Sequence, residues 1–289
     1  MRTTLLFFGY LLGCLIIAAC LSIPVLHFSW LSDLEPERLI ARLAQVIMLL
    51  GFIPLIRALQ LTRRDLFGNI NSRRAFTMSI IIGWCMGVWI MTSIVLLLLA
   101  FGVRVPVLPD ADWLRRVIQA LIGGVLIATI EELFFRGAVF SAIRRRAHVI
   151  TAILGSAMLY SLVHFVKPIA PPTINITDWH SSFLMIAAGF QSSWQLTNLD
   201  SFIALFLAGV LLALIREQRG HIGWCIGIHA GWVWVIQSSR RLTDGVEQSN
   251  WYWLVGNVDG VIGWLAAGWL VMIILWQLDA HQKPSPVVH

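Results

Sequence analysis

Five residues in an otherwise apolar chain could do chemistry together. Glu131, Glu132 and Arg136 stand in IEELFFRGAVF (130–140), His164 ends YSLVH (160–164), and His229 begins HAGWV (229–233). An ionisable side chain at the centre of a membrane helix costs about 2.5–3.5 kcal/mol by insertion scales, so such residues face a protein interior and mark a functional site. Glu132 and Arg136 are four apart, which stacks them on one helix face and lets them pair. Glu131 lies about 100° round the helix, free to face another helix. Desolvation alone would keep a buried glutamate protonated. A neighbouring arginine and imidazole favour the carboxylate that a general base requires. The spacing also admits plainer readings: a Glu132–Arg136 clamp between helices, and hydrogen-bonded interior histidines. His148 and His221 fall at predicted helix ends and are discounted, while Gln237 lies two turns beyond His229.

Two carboxylates and two histidines are also a zinc ligand set, and zinc would activate a bound water at neutral pH. Glu131, His164 and His229 would then be the ligands. Against this, no helix carries a His-x-x-x-His pair, and Arg136 would repel a cation. The metal-free reading is favoured, with no cofactor expected.

The elements that must position these residues are membrane helices. Of 289 residues 58% are hydrophobic and only 12% charged, against about one-quarter charged in a soluble domain. A hydrocarbon core about 30 Å thick needs about 20 apolar helical residues. That ruler gives spans at 5–28, 39–60, 76–103, 115–142, 149–166, 201–216, 222–239 and 260–277. The expected fold is all-α, a polytopic bundle of about eight transmembrane helices forming one membrane domain over 1–289, with the reactive core in 115–240.

Three arginine-rich loops, RALQLTRRDLFGNINSRR (57–74), RRRAH (144–148) and REQRGH (216–221), fall on one side. The positive-inside rule makes that side cytoplasmic and puts both termini there. The net charge of +6 is thereby assigned to membrane orientation and anionic lipid, with no nucleic-acid partner expected. Arg240 and Arg241 lie on the wrong side of this scheme. The stretch 167–200 reads as an outer-face loop with an interfacial or re-entrant piece at FLMIAAGF (183–190). Cys14, Cys20, Cys85 and Cys225 form no CxxC pair and suggest neither a disulfide framework nor a thiolate metal site. IAAC ending at Cys20 resembles a lipoprotein cleavage site, but the apolar run continues past it to about Phe28, which favours an uncleaved first helix. Counted from the predicted cytoplasmic ends, Glu131 lies about 18 Å in, His229 about 10 Å and His164 about 23 Å. That spread is wide for a single site, and helix tilt or a shift of a few residues in the helix ends would narrow it.

The segments EELFFR (131–136), YSLVH and HAGWV, in that order on successive helices, resemble the three motifs of the CPBP family of intramembrane proteases. That family includes the type II CAAX prenyl endopeptidases and bacterial relatives. Its motifs read Glu-Glu-x-x-x-Arg, Phe-x-x-x-His and His-x-x-x-Asn. This chain matches the first in full, has Tyr160 in place of Phe in the second, and has Val233 in place of Asn in the third. The resemblance implies an endopeptidase in which Glu131 activates water, His164 helps to hold it, Glu132 and Arg136 shape the site, and His229 stabilises the oxyanion. Valine donates no hydrogen bond, so half of that oxyanion hole is missing; Gln237 or a water would have to substitute.

The expected substrate is a membrane-tethered or lipid-modified protein, or a small peptide, cut near the cytoplasmic leaflet. The expected location is the bacterial inner membrane. Two other classes compete with this reading. A non-catalytic scaffold or immunity-type protein of the same fold draws on Val233. A proton-coupled transporter would require matching broken helices, and Gly123–Gly124 has no counterpart elsewhere. The sequence leaves the oligomeric state open.

Overall fold

The computed structural model describes residues 2–26, 35–109, 111–166, 168–170, 178–193, 195–256 and 258–282. Each predicted apolar run is helical over most of its described residues. The chain order is α1 (Arg2–Leu26), α2 (Pro36–Ala58), α3 (Arg63–Phe67), α4 (Arg73–Ala100), β1 (Arg104–Pro106) and α5 (Trp113–Glu132). A π-helical turn, Leu133–Val139, joins α5 to α6 (Phe140–Arg144). Then come α7 (Val149–Phe165), α8 (Trp179–Ser193), α9 (Leu199–Arg219), α10 (Gly223–Leu242), β2 (Thr243–Gly245) and α11 (Trp264–Gln282).

Five stretches, Thr3–Leu26, Pro36–Ala58, Arg73–Ala100, Trp113–Arg144 and Leu196–Arg219, are long and apolar enough to cross a membrane. Their outward faces leave Leu50, Trp89, Ile122 and Leu126 60–72% exposed. Water does not tolerate so much contiguous apolar surface; lipid does. The molecule is an all-α, polytopic membrane bundle.

α10 is its central helix, with eight consecutive residues, Cys225 to Trp232, buried. It packs on α4 through two small-residue pairs, Gly83-x-x-x-Gly87 and Gly227-x-x-x-Gly231. A Cβ on Gly87 would lie 2.2 Å from the Ile228 carbonyl oxygen, and one on Gly227 would lie 2.2 Å from that of Ile80. Helices in lipid associate by such close backbone approach, because no hydrophobic force drives them together. His229 sits between Gly227 and Gly231, so this contact fixes its depth.

The three arginine-rich loops meet on one face. Arg145 pairs with Asp65 and donates to the Gln60 carbonyl at 2.9 Å, and Arg144 pairs with Glu217 at 3.1 Å. Beneath them α3 dips into the bundle. Ser141 Oγ donates to the Asp65 carbonyl at 2.7 Å, and a Cβ on Gly137 would lie 2.8 Å from the Leu66 carbonyl oxygen. Gly68 bridges His221, and Ile222 N donates to the Phe67 carbonyl at 3.1 Å.

This inserted turn corrects the depths read from the sequence. α10 does not start at the surface. It starts level with Gly137, about 10 Å below Arg144 at 1.5 Å per residue. Adding about 9 Å from Gly223 to His229 gives about 19 Å, the same depth as Glu131. The apparent spread between the two residues arose from taking Gly223 as a surface residue.

On the opposite face β1 and β2 pair antiparallel, with Arg104 opposite Gly245. Buried Arg104 ties this ribbon to the loop before α11. Its Nε donates to Thr243 Oγ1 at 2.6 Å and its Nη1 to the Gly260 carbonyl at 2.8 Å. The predicted re-entrant piece is α8, a helix laid against α1. Ser22 and Ser182 hydroxyls lie 2.9 Å apart, and Trp179 Nε1 donates to the Cys20 carbonyl at 2.9 Å. Residues 167, 171–177 and 194 of that loop lie outside the described residues, as do residues 32–34 of the segment SDLEPER (32–38) after α1.

Candidate active site

Glu131 and Glu132 end α5, and the π-turn that follows carries Arg136. Such turns occur often at functional sites. Glu132 and Arg136 are sealed from solvent, and Arg136 Nη1 donates to Glu132 Oε1 at 2.9 Å. The guanidinium also stands 4.5 Å above the Tyr160 ring and reaches the Gly209 carbonyl at 3.4 Å. The same Glu132 oxygen receives His229 Nδ1 at 2.8 Å. Glu132 therefore braces both Arg136 and the α10 imidazole.

Glu131 points the other way. Its side chain is 27% exposed, and its Oε2 hydrogen-bonds to no described residue. That oxygen lies 3.8 Å from His164 Nε2 and 3.9 Å from His229 Nε2. Both imidazoles have their tautomer set from behind. His164 Nδ1 donates to the Tyr160 carbonyl at 2.7 Å, and His229 Nδ1 donates to Glu132. In the neutral rings each Nε2 is consequently a lone-pair acceptor. Three acceptors separated by more than a hydrogen-bond length suit one bridging water, which can donate to two of them. Its own lone pair is left free to attack.

All five predicted ionisable residues converge. Tyr160 joins them, buried, with its hydroxyl 3.5 Å from His229 Nε2. Gln237 does not reach the cluster; it lines a cavity of about 260 Å³ that runs from His229, His164 and Tyr160 past Val233 to Arg240 and Asp259. Arg240, misplaced by the charge rule, is the rim of that cavity. A second cavity of about 300 Å³ meets Glu131 and His164 from the α1, α2 and α8 side. His164 belongs to both walls. Sequence reasoning passed over Trp232, which lines the first cavity and whose buried indole N–H has no described partner; only its place one turn after His229 signalled it.

The donor chemistry of Glu131, His164 and His229 suits zinc, but the spacing does not. Zinc bonds of about 2.0–2.2 Å in a tetrahedral site draw ligand atoms to within about 3.4 Å of one another. Among the described residues no group of three His, Cys, Asp or Glu is disposed to hold a metal ion.

Residues 113–235 match the family model for type II CAAX prenyl endopeptidase Rce1-like proteins. That segment holds Glu131, Glu132, Arg136, Tyr160, His164 and His229. No curated protein and no solved structure matches the chain. That family is one of intramembrane CAAX-type proteases, and residues 113–235, a little under half of the chain, are similar to a CPBP-family, CAAX protease-like domain and lie within an integral membrane protein.

Proposed function

We propose that this protein is an intramembrane endopeptidase that hydrolyses a peptide bond with a water activated by Glu131, without a metal. The observation that carries the reading is Glu131 Oε2 facing two Nε2 lone pairs at 3.8 and 3.9 Å, beside His164, which lines both cavities. Water held between Glu131 and His164 gives one proton to the Glu131 carboxylate as its oxygen bonds to the substrate carbonyl carbon. The C=O electron pair moves onto oxygen. His229, braced by Glu132, lies on the oxyanion side. As the tetrahedral adduct collapses, the C–N bond breaks and the amine takes the proton held by Glu131.

The apolar cavity walls favour a substrate that is membrane-tethered, lipid-modified or a small apolar peptide. The motif likeness to bacterial relatives favours the bacterial inner membrane. Comparing membrane proteomes with and without the protein, beside Val233→Asn, tests this. New peptide termini that depend on the parent protein support it, and identical termini in all samples refute it. One observation favours a second reading, a non-catalytic binder: Val233 lines the cavity where the family has an amide donor. That reading requires the parent to cut nothing and Val233→Asn to gain cleavage.

A further inference from the structure

Tyr160 stands at the site with a hydroxyl that the water-activating groups do not use. It is 3% exposed, it lines the same cavity as His229 and Val233, and its oxygen lies 3.5 Å from His229 Nε2. The ring is held from three sides: by the Arg136 guanidinium at 4.5 Å, by the Phe135 ring edge-on at 5.1 Å and by the His164 ring at 4.4 Å. A donor held this firmly needs no reorganisation when charge develops beside it.

Hydrogen-bond accounting at His229 shows what such a donor would do. Nδ1–H is committed to Glu132 at 2.8 Å, so the neutral ring has no N–H left at Nε2 to offer an oxyanion. Val233 has no donor. Gln237 lies eight residues on, about 12 Å along the helix axis. The Tyr160 O–H carries a proton in either state of the imidazole, and its resting partner, Nε2, is a weak one at that distance. Turning from Nε2 to a substrate oxygen is a small rotation about the phenolic C–O bond.

We infer that the Tyr160 hydroxyl is an oxyanion donor of this enzyme, supplying the hydrogen bond that position 233 cannot. This rests on the endopeptidase reading. No proton need leave the tyrosine: it donates a hydrogen bond while the C=O pair sits on oxygen, and releases that oxygen when the C–N bond breaks.

The test uses the full-length protein in proteoliposomes with internally quenched peptides, S-farnesylated at cysteine or unmodified. Tyr160→Phe is expected to lower kcat about a hundredfold, the loss typical of one oxyanion donor, with KM within threefold and the thermal midpoint unchanged within a few degrees. Tyr160→Phe combined with Val233→Asn is expected to recover at least tenfold of the lost kcat. The inference is overturned if Tyr160→Phe keeps kcat within threefold of the parent. It is overturned equally if the loss falls on KM, or if Val233→Asn recovers nothing. A parent with no turnover on any peptide overturns the endopeptidase reading itself, a different result from a parent that cuts regardless of Tyr160.

Discussion

Replacing Arg136 with methionine removes the one cation from a carboxylate that solvent cannot reach. Arg136 is 1% exposed and Glu132 0%. Breaking a buried pair by removing one partner costs about 3–5 kcal/mol, because the remaining charge is uncompensated. The cation–π contact with Tyr160 contributes up to about 2 kcal/mol within that figure when desolvated. His229 still donates to Glu132 Oε1, which places the expected loss near the lower end, about 3 kcal/mol. Adding Glu132→Gln removes the stranded charge, and its amide oxygen still accepts from His229 Nδ1. The double variant should therefore be more stable than Arg136→Met by about 2 kcal/mol. Reversible SDS unfolding in mixed micelles, followed by the fluorescence of the 14 tryptophans, measures all three proteins. An Arg136→Met loss below about 1 kcal/mol refutes the reasoning. So does a double variant less stable than the single one.

Three further outcomes follow from the geometry. Gly227→Ala puts a Cβ 2.2 Å from the Ile80 carbonyl oxygen, whereas Gly123→Ala meets nothing within 4 Å; the first should lower the unfolding midpoint by at least about 1–3 kcal/mol and the second should not, and equal effects would contradict the α4–α10 contact. Burial pushes the Asp65 carboxyl up, but hydrogen bonds from Thr62 and the Arg145 guanidinium outweigh it and hold the group below its ordinary value. A carboxyl depressed in the folded state stabilises fully above its unfolded value of about 4 and loses that stabilisation as pH falls through the lower folded value; the stability gap between the parent and Asp65→Asn should be widest at pH 7 and close toward pH 3, and a constant gap would contradict it. Prolonged treatment with a zinc chelator should leave peptide turnover within twofold of the untreated protein, whereas loss restored by zinc would show that Glu131, His164 and His229 close up around a metal.

Much of the site was legible because membrane energetics make polar residues conspicuous. Glu131, Glu132 and Arg136 could be singled out for no reason but their cost in an apolar helix, and the four-residue spacing of Glu132 and Arg136 foretold their pairing. The shared depth of His229 and Glu131 was not legible from counting along the helices, although the motifs had already set the two residues in one site. It depends on α3, whose RRDLFGN reads as a charged surface loop although Leu66 is buried. Insertion is possible because the turn carries its own capping box between Thr62 and Asp65, and because Arg216 Nη2 donates to the Asp65 carbonyl at 3.2 Å. The first has a sequence signature, Thr62-x-x-Asp65; the second is not visible without the fold. Arg240 failed the charge rule for a similar reason: it lines a cavity rather than a bilayer surface. The glycine pairs of α4 and α10 went unread in the sequence, because only contact shows which helix each faces.

The central claim is that Glu131 activates the water, and a single substitution tests it most directly. Glu131→Gln keeps the side chain's size and removes its ability to take a proton. Turnover of the peptides cut by the parent, measured in proteoliposomes at matched folded protein, should fall to background in Glu131→Gln, while peptide binding persists. Turnover near the parent's rate in Glu131→Gln would contradict the account and move the base to another group of the cluster.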